Sequence, residues 1–329
     1  MFAARTKDCC VFSFDYLDYD VYLNVLAFYR FAGYRVHALL DGQSPDLVVI
    51  LRGWPPEIYA NYAGVVHVYD YVKELSIDYS TFFPSASHIF YISISSDSAQ
   101  EFLSSDKYTY VHGFLPVIPE IWMESSSRKT SPTPLHISNF KPMQKDLYQS
   151  QLVHLSHDRL VQIFGSKWER AGIASSPVSY WTANHLLAKA SHCFGLMYPY
   201  QRGKSLSGRM WQAPINGCYV ISELGTNIFH CPGIIEVADY IVASDQLPPH
   251  SPLLVSESVS FWKRKTNQLA SDLNLSLSFV TYKQTVRELR FALFKKHLLF
   301  QWNKYFVPIK TKSKSAILSS LRSLLRPFH

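Results

Sequence analysis

Short apolar runs alternate with longer stretches of helical periodicity along the first 120 or so residues. Cys9 to Phe14 (CCVFSF) reads as a buried strand, followed by an acidic, aromatic loop, DYLDYD. The next run, VYLNVLAFYRFAGYRV, has apolar residues at helical spacing and meets a helix stop at Gly33. Asp46 to Leu51 (DLVVIL) and Gly64 to Tyr69 (GVVHVY) predict further buried strands, with shorter ones at Ile89 to Ser93 and Tyr108 to Val111. Strands alternating with helices predict βαβ units and a parallel sheet covered on both faces.

Residues 124–134, ESSSRKTSPTP, contain no apolar side chain and interrupt this pattern, as a linker does. A second alternating set follows. PLHISNFKP is a strand running into a loop with Asn139 and Lys141, a helical stretch reaches Leu160, and the strand LVQIFG ends at Gly165. After NHLLAKASHCFGLMYP comes a polar loop from Tyr200 to Gly208, a helix over Arg209 to Asn216, Gly217 as its terminator, and the strand CYVIS. The expected organisation is a first α/β domain over residues 1–123, a linker over 124–134, a second α/β domain over 135–282, and a basic helix and tail over 283–329. Two such halves place a cleft between them, and open α/β sheets bind ligands at the carboxyl ends of their strands.

A chain of 329 residues with 47% hydrophobic and 17% charged residues is long enough for two such domains. Its five cysteines include no CxxC pair and have no histidine at metal-ligand spacing, which favours free thiols in a reducing compartment over a zinc site. The first residues lack the charged and apolar regions of a signal peptide, and no run of 18 apolar residues occurs, so a cytoplasmic protein without a membrane span is expected. The net charge is +7, yet from Lys283 onward eleven Lys and Arg face only Glu288, a tail of +10 that leaves −3 for the rest. The folded part is therefore a poor match for nucleic acid, and no specific nucleic-acid partner is expected. The tail sequence VRELRFALFKKHLLFQWNKYF is a basic amphipathic helix, suited either to an anionic membrane surface or to packing across the two domains.

The richest stretch runs from Ser205 to Asn227, SLSGRMWQAPINGCYVISELGTN. A Gly-bearing polar loop ahead of a helix exposes backbone N–H groups that suit a diphosphate. Lys204, Arg209 and Lys141 are expected to add charge-assisted hydrogen bonds, and Gln212 to reach a ribose hydroxyl.

Within it, GRMWQAPINGCYVISE resembles the C-terminal signature of two-domain nucleotide-sugar glycosyltransferases of the GT-B fold, in particular the CgeB-like branch, with Arg209, Trp211 and Gly217 at the Arg, aromatic and Gly positions. Gln212 stands where that pattern has an acid, and Tyr69 stands where the family often has a histidine before Asp70. HISNFKP is similar to the phosphate-contacting first loop of the second domain, and VQIFGSKW to the strand and glycine after it.

The resemblance implies two Rossmann-like domains and transfer of a sugar from a nucleoside diphosphate to a hydroxyl of a glycan or lipid-linked acceptor, without an obligatory metal or other cofactor. It fits cell-envelope polysaccharide or glycoconjugate synthesis at the inner face of a membrane. The donor-side residues it implies are Asn139, Lys141, Gly165, Lys204, Ser207, Gly208, Arg209, Gln212, Glu223 and Asn227. Candidate bases are Asp70, His112 and Asp15, with Asp18 a further one beside the first helix. Asp15, Asp18 and Asp20 equally suit the first turn of that helix as capping acids, and the DYD triplet has the spacing of a metal-binding DxD. Gln212 and Tyr69 keep open a catalytically inert relative or a nucleotide-sugar epimerase on the same fold.

Overall fold

The computed structural model describes residues 7–13, 19–37, 44–52, 57, 60–70, 77–94, 106–124, 131, 133–140, 147–197, 207–249, 251–278 and 282–306. Its first sheet comprises β1 (Lys7–Ser13), β2 (Tyr34–His37), β3 (Leu47–Arg52), β4 (Val65–Asp70), β5 (His88–Ser93) and β6 (Tyr108–His112), in the order β2-β1-β3-β4-β5-β6. The second comprises β7 (Leu135–Ile137), β8 (Gln162–Phe164), β9 (His192–Gly195), β10 (Tyr219–Glu223) and β11 (Ile234–Val237), in the order β8-β7-β9-β10-β11. Every pairing in both sheets is parallel. Each half thus begins with the same 2-1-3-4-5 order, in which the chain reverses its direction of growth between the first and third strands. Such a switch point leaves a crevice beyond the carboxyl ends of those two strands.

The strands predicted from apolar runs lie within a residue or two of their expected bounds. The edge strands β2 and β11 are absent from the sequence reading. They have four residues each, and only Ile234 of the eight is buried, so neither carries a continuous apolar run. Helix α1 (Tyr19–Phe31) ends as expected at Gly33, whose φ of +87° lies in the left-handed region glycine tolerates.

The halves are joined by more than a linker. Helix α2 (Pro119–Trp122) carries the fully buried Trp122, whose indole Nε1 donates to Asn24 Oδ1 at 3.1 Å on α1. Its carbonyl accepts from Asn184 Nδ2 at 2.7 Å on α4 (Tyr180–Lys189) and from Asn216 Nδ2 at 3.1 Å, just after α5 (Arg209–Ile215). The Trp122 ring meets that of Trp211 edge-on at 5.2 Å. One apolar cluster runs from Cys9 on β1 through Trp122 to Trp262 and Leu293, so both halves share a core. The five cysteines are buried and free.

Two late helices complete this union. Helix α7 (Leu254–Asp272) packs on α5 and α2, and Thr266 exchanges hydrogen bonds with the backbone of Val117 at 3.1 and 2.9 Å. Helix α8 (Tyr282–Phe306) lies across α1, α2 and α4, with Leu289 and Leu293 buried beneath it. Arg30 meets Glu288 at 3.2 Å, Arg290 donates to the Met123 carbonyl, and His297 Nδ1 lies 2.8 Å from Ser179 Oγ. No helix among the described residues is long and apolar enough to cross a membrane. The remaining helices, α3 (Leu147–His157) and α6 (Tyr240–Ser244), belong to the second half and pack on each other.

Candidate functional site

The second sheet's switch point lies between β7 and β9, and buried polar groups gather at its carboxyl edge. His136 on β7 is fully buried; its Nδ1 lies 2.7 Å from the Phe194 carbonyl of β9 and its Nε2 2.6 Å from Ser138 Oγ. A carbonyl can only accept, so Nδ1 carries the proton and Nε2 accepts from the serine hydroxyl. Desolvation, with the Arg209 charge adding to it, pulls the imidazole pKa down to about 3 and keeps the ring neutral.

The first loop after β7 is fixed by its neighbours. Trp168 Nε1 donates to the Ser138 carbonyl at 2.6 Å, and Asn139 Oδ1 accepts from Ser166 N at 2.9 Å and Ser166 Oγ at 2.8 Å. Gly165 has φ +143°, and a Cβ there would lie 1.8 Å from the Ser138 carbonyl oxygen. Only glycine allows the loops after β7 and β8 to approach so closely.

Arg209, at the start of α5, donates from Nη1 to the Ile137 carbonyl and from Nη2 to the Leu196 carbonyl at 3.1 Å. These oxygens end β7 and follow β9, so the guanidinium clamps the switch point. The next N–H of the same peptide group, that of Met197, donates to both carboxylate oxygens of Glu223 at 3.1 and 3.3 Å. Glu223 is 1% exposed at the end of β10 and also accepts from Ser222 Oγ at 3.0 Å. One peptide unit is therefore held on its oxygen by a cation and on its nitrogen by an anion, at the root of the segment 198–206 that carries Lys204.

The two halves meet beside this clamp. Asp20, in the first turn of α1 and 7% exposed, accepts from Gln212 Nε2 at 3.3 Å. A Cβ on Gly208 would come within 2.5 Å of Asp20 Oδ2. Ser207 Oγ is buried with no hydrogen-bond partner among the described residues.

Of the residues singled out in the sequence, Gly165, Asn139, Arg209 and Glu223 line up along this edge, with Ser207, Gly208 and Gln212 opening α5 beside them. Arg209, expected to be presented to a diphosphate, has its two terminal nitrogens on carbonyls. Asn227 organises a turn: its Oδ1 accepts from Cys231 N at 2.7 Å, and its own N–H donates to Glu236 at 2.8 Å. Asp70 ends β4 and accepts from Tyr91 OH at 2.6 Å. Asp70, Ser93 and His112 are in lateral register, so Asp70 and His112 stand two strand spacings apart, about 10 Å, on one face of the first sheet. Tyr110 OH donates to Ser93 O at 2.9 Å and lies 3.3 Å from His112 Nδ1. With that hydroxyl proton committed, His112 Nδ1–H is the donor and Nε2 is left as an acceptor. Asp15, Asp18, Lys141 and Lys204 lie outside the described residues.

Sequence reasoning missed His136, Ser138 and the inter-half contact of Asp20. A histidine between apolar residues, as in LHI, is a usable sign of a bonded core group; nothing local points from Asp20 to Gln212. Among the described residues no three His, Cys, Asp or Glu side chains group closely enough to hold a metal.

No family model and no curated protein matches the chain by sequence. Solved structures do match in fold. The DNA-modifying enzyme β-glucosyltransferase superposes with a TM-score of 0.53 at 13% identity, over 88% of this chain and 99% of that one. AviGT4, a glycosyltransferase involved in avilamycin A biosynthesis, gives 0.51 at 13% identity, over 86% and 98%. Anabaena HepE with UDP and glucose gives 0.50 at 10% identity, over 82% and 99%. The chain has the GT-B fold, two parallel α/β halves facing across a cleft.

Proposed function

We propose that the protein is a glycosyltransferase that moves a sugar from a nucleoside diphosphate to a hydroxyl of a glycan or lipid-linked acceptor. The observation that carries this reading is the clamped polar edge at the second sheet's switch point, where Arg209 and Glu223 hold the Leu196–Met197 peptide unit just before the segment 198–206 that includes Lys204. Support comes from the fold, shared with a β-glucosyltransferase whose substrate is uridine diphosphoglucose and with HepE, which was solved with UDP and glucose.

In this reading the diphosphate lies against Ser207 and Gly208, with Lys204 and Lys141 offsetting its charge and Ser207 Oγ gaining a partner. Asp20 already sets a carboxylate against Gly208, so an arriving diphosphate displaces it and donor binding loosens the contact between halves. Arg209 acts by position, holding the strand ends on which the donor rests. Charge developing on the leaving nucleotide is met by these cations and by backbone N–H groups in a closed cleft, so no metal is required. Deprotonation of the acceptor hydroxyl falls to His112 Nε2 or the carboxylates of Asp70 or Asp15. The acceptor belongs to cell-envelope polysaccharide or glycoconjugate synthesis, and Lys283 and Arg287, exposed on α8 whose apolar face packs on the two halves, turn positive charge toward the anionic inner face of the membrane.

The test is a thermal-shift screen against UDP, GDP, CMP, ADP and their sugar conjugates, because a ligand that binds only the folded state raises Tm. A shift with one nucleotide family, lost in Lys204→Ala and Lys141→Ala, is expected; no shift with any nucleotide would sink the proposal. A shift without transfer would mark an inert binder, and isomerisation of the bound sugar an epimerase.

A further inference from the structure

Helix α8 has two apolar sides. One packs on the two halves through Leu289 and Leu293, which are buried. The other looks outward: Phe291 is 51% exposed, Leu298 49% and Phe294 36%. At 3.6 residues per turn these three fall within about 60° of one another and span about 10 Å of the axis, on the side away from Leu289 and Leu293. Lys283 and Arg287, both exposed, continue the same stripe toward the start of the helix.

Apolar side chains scattered singly over a surface need no explanation; three in one stripe, continued by cations, form a patch that does. Phe294 meets Trp181 edge-on at 5.3 Å between ring centroids, and Lys295 Nζ stands 4.8 Å from the Phe291 centroid, so each ring is braced on one side and open to solvent on the other. Glu288, the one acid from Lys283 to His329, is paired with Arg30 at 3.2 Å, which leaves the stripe positively charged.

These features discriminate between occupants. A stable interface with a folded protein takes about 20–30 residues a side, far more than this narrow stripe supplies. A second copy docked about a two-fold axis would lay one basic stripe against another. An anionic lipid surface meets every group present, because its headgroups attract the cations and its acyl boundary accepts Phe and Leu. We infer that the outward stripe of α8 docks on an anionic bilayer, with Phe291, Phe294 and Leu298 entering the interface while Lys283 and Arg287 stay among the headgroups. The step beyond the charge attraction proposed above is insertion of named side chains; only the meeting with an acceptor at that surface rests on the transferase reading, and the docking itself does not.

The experiment uses the full-length protein and vesicles of phosphatidylcholine, alone or with an equal part of phosphatidylglycerol. Because the five natural cysteines are buried, Leu298→Cys can carry a polarity-sensitive fluorophore on the stripe, and unlabelled variants are followed by co-sedimentation. The expected result is a blue shift of the emission with phosphatidylglycerol vesicles and none with phosphatidylcholine alone. Vesicle affinity should fall about tenfold in the Phe291→Ser, Leu298→Ser double variant and about fivefold in Arg287→Gln, with Tm unchanged because all three side chains are exposed. Emission that stays put on phosphatidylglycerol vesicles overturns the inference, as does undiminished co-sedimentation of the double variant, which would assign adhesion to charge elsewhere in the chain. An equal blue shift on phosphatidylcholine alone overturns the anionic partner. If docking occurs as expected but no nucleotide raises Tm, the surface stands and the transferase reading falls. If nucleotides bind and position 298 does not respond to vesicles, the reverse holds.

Discussion

Each half of the molecule buries a histidine in a strand, and the two serve different ends. His67, on β4 of the first half, lies 2.7 Å from Tyr29 OH, which in turn lies 3.0 Å from Tyr69 OH. That chain ties α1 to the middle of its sheet. His136, on β7 of the second half, bonds the Phe194 carbonyl and the hydroxyl of Ser138, the first residue beyond the strand. Burial brings both imidazoles down to about 3. The difference teaches where each half places its buried polarity: the first uses it to register a helix on a sheet, the second to fix the loops that leave its switch point.

The sharpest way to break that contrast is at glycine. Gly165→Ala in the second half forces a Cβ to within 1.8 Å of the Ser138 carbonyl, and we expect a loss of about 4 kcal/mol in urea unfolding. Gly33→Ala in the first half meets nothing within 4 Å and carries only the left-handed strain, about 1 kcal/mol. Equal losses at the two positions would remove the case for a close loop contact in the second half.

Next in size is the clamp. Arg209→Ala strips two partly buried carbonyls of a charged donor and is expected to cost about 2–3 kcal/mol, with nucleotide affinity falling alongside. The sequence places Arg209 on a diphosphate; in the fold its terminal nitrogens lie on the Ile137 and Leu196 carbonyls. Arg30→Ala, which removes a more exposed ion pair with Glu288, should cost under about 1 kcal/mol. An Arg209→Ala protein as stable as wild type would mean that the strand ends hold without the guanidinium.

The two histidines predict an acid response. Unfolded, each imidazole takes up a proton as pH falls below 6.5; folded, each stays neutral until about 3. The unfolded state therefore binds more protons across that window, so stability declines as pH falls through it, by up to about 2 kcal/mol per histidine at pH 5. Tm measured from pH 7 to 5 should drop, and His136→Gln should reduce the slope to the part that His67 supplies. A flat profile would contradict neutral burial in both halves.

Smallest in stability is Lys204→Ala, expected to change unfolding by less than about 0.5 kcal/mol while weakening nucleotide binding. Calorimetry of UDP binding beside urea unfolding separates these two effects, and a large loss of stability would assign Lys204 to the fold.

Much of the fold could be read from neighbouring residues. CCVFSF, DLVVIL and GVVHVY are uninterrupted apolar runs because strands covered on both faces need them. The polar stretch 124–134 falls between the last strand of the first sheet and the first strand of the second, and the sequence from Arg209 through Gly217 to Cys218 and beyond marked a helix, a stop and a strand. The edge strands β2 and β11 escaped because half-exposed strands of four residues carry no run, and α7 escaped because its buried stripe includes the polar Ser258 and Thr266 between Leu254, Trp262 and Leu269.

The site was legible by composition and not by partner. Gly165, Gly208, Arg209 and Glu223 stood out as residue types, but nothing local shows that Arg209 reaches Ile137 and Leu196, or that Glu223 grips the peptide Arg209 already holds. By itself the sequence determined the alternation of strands and helices, the division into two halves and the concentration of positive charge in the tail, because periodicity and composition are properties of adjacent residues. Only the tertiary structure decided that Asp20 meets Gln212 across a separation of 192 positions, and that Cys9, Trp122 and Trp262 share one apolar core. Such contacts depend on how two independently patterned sheets pack, and no local preference encodes that.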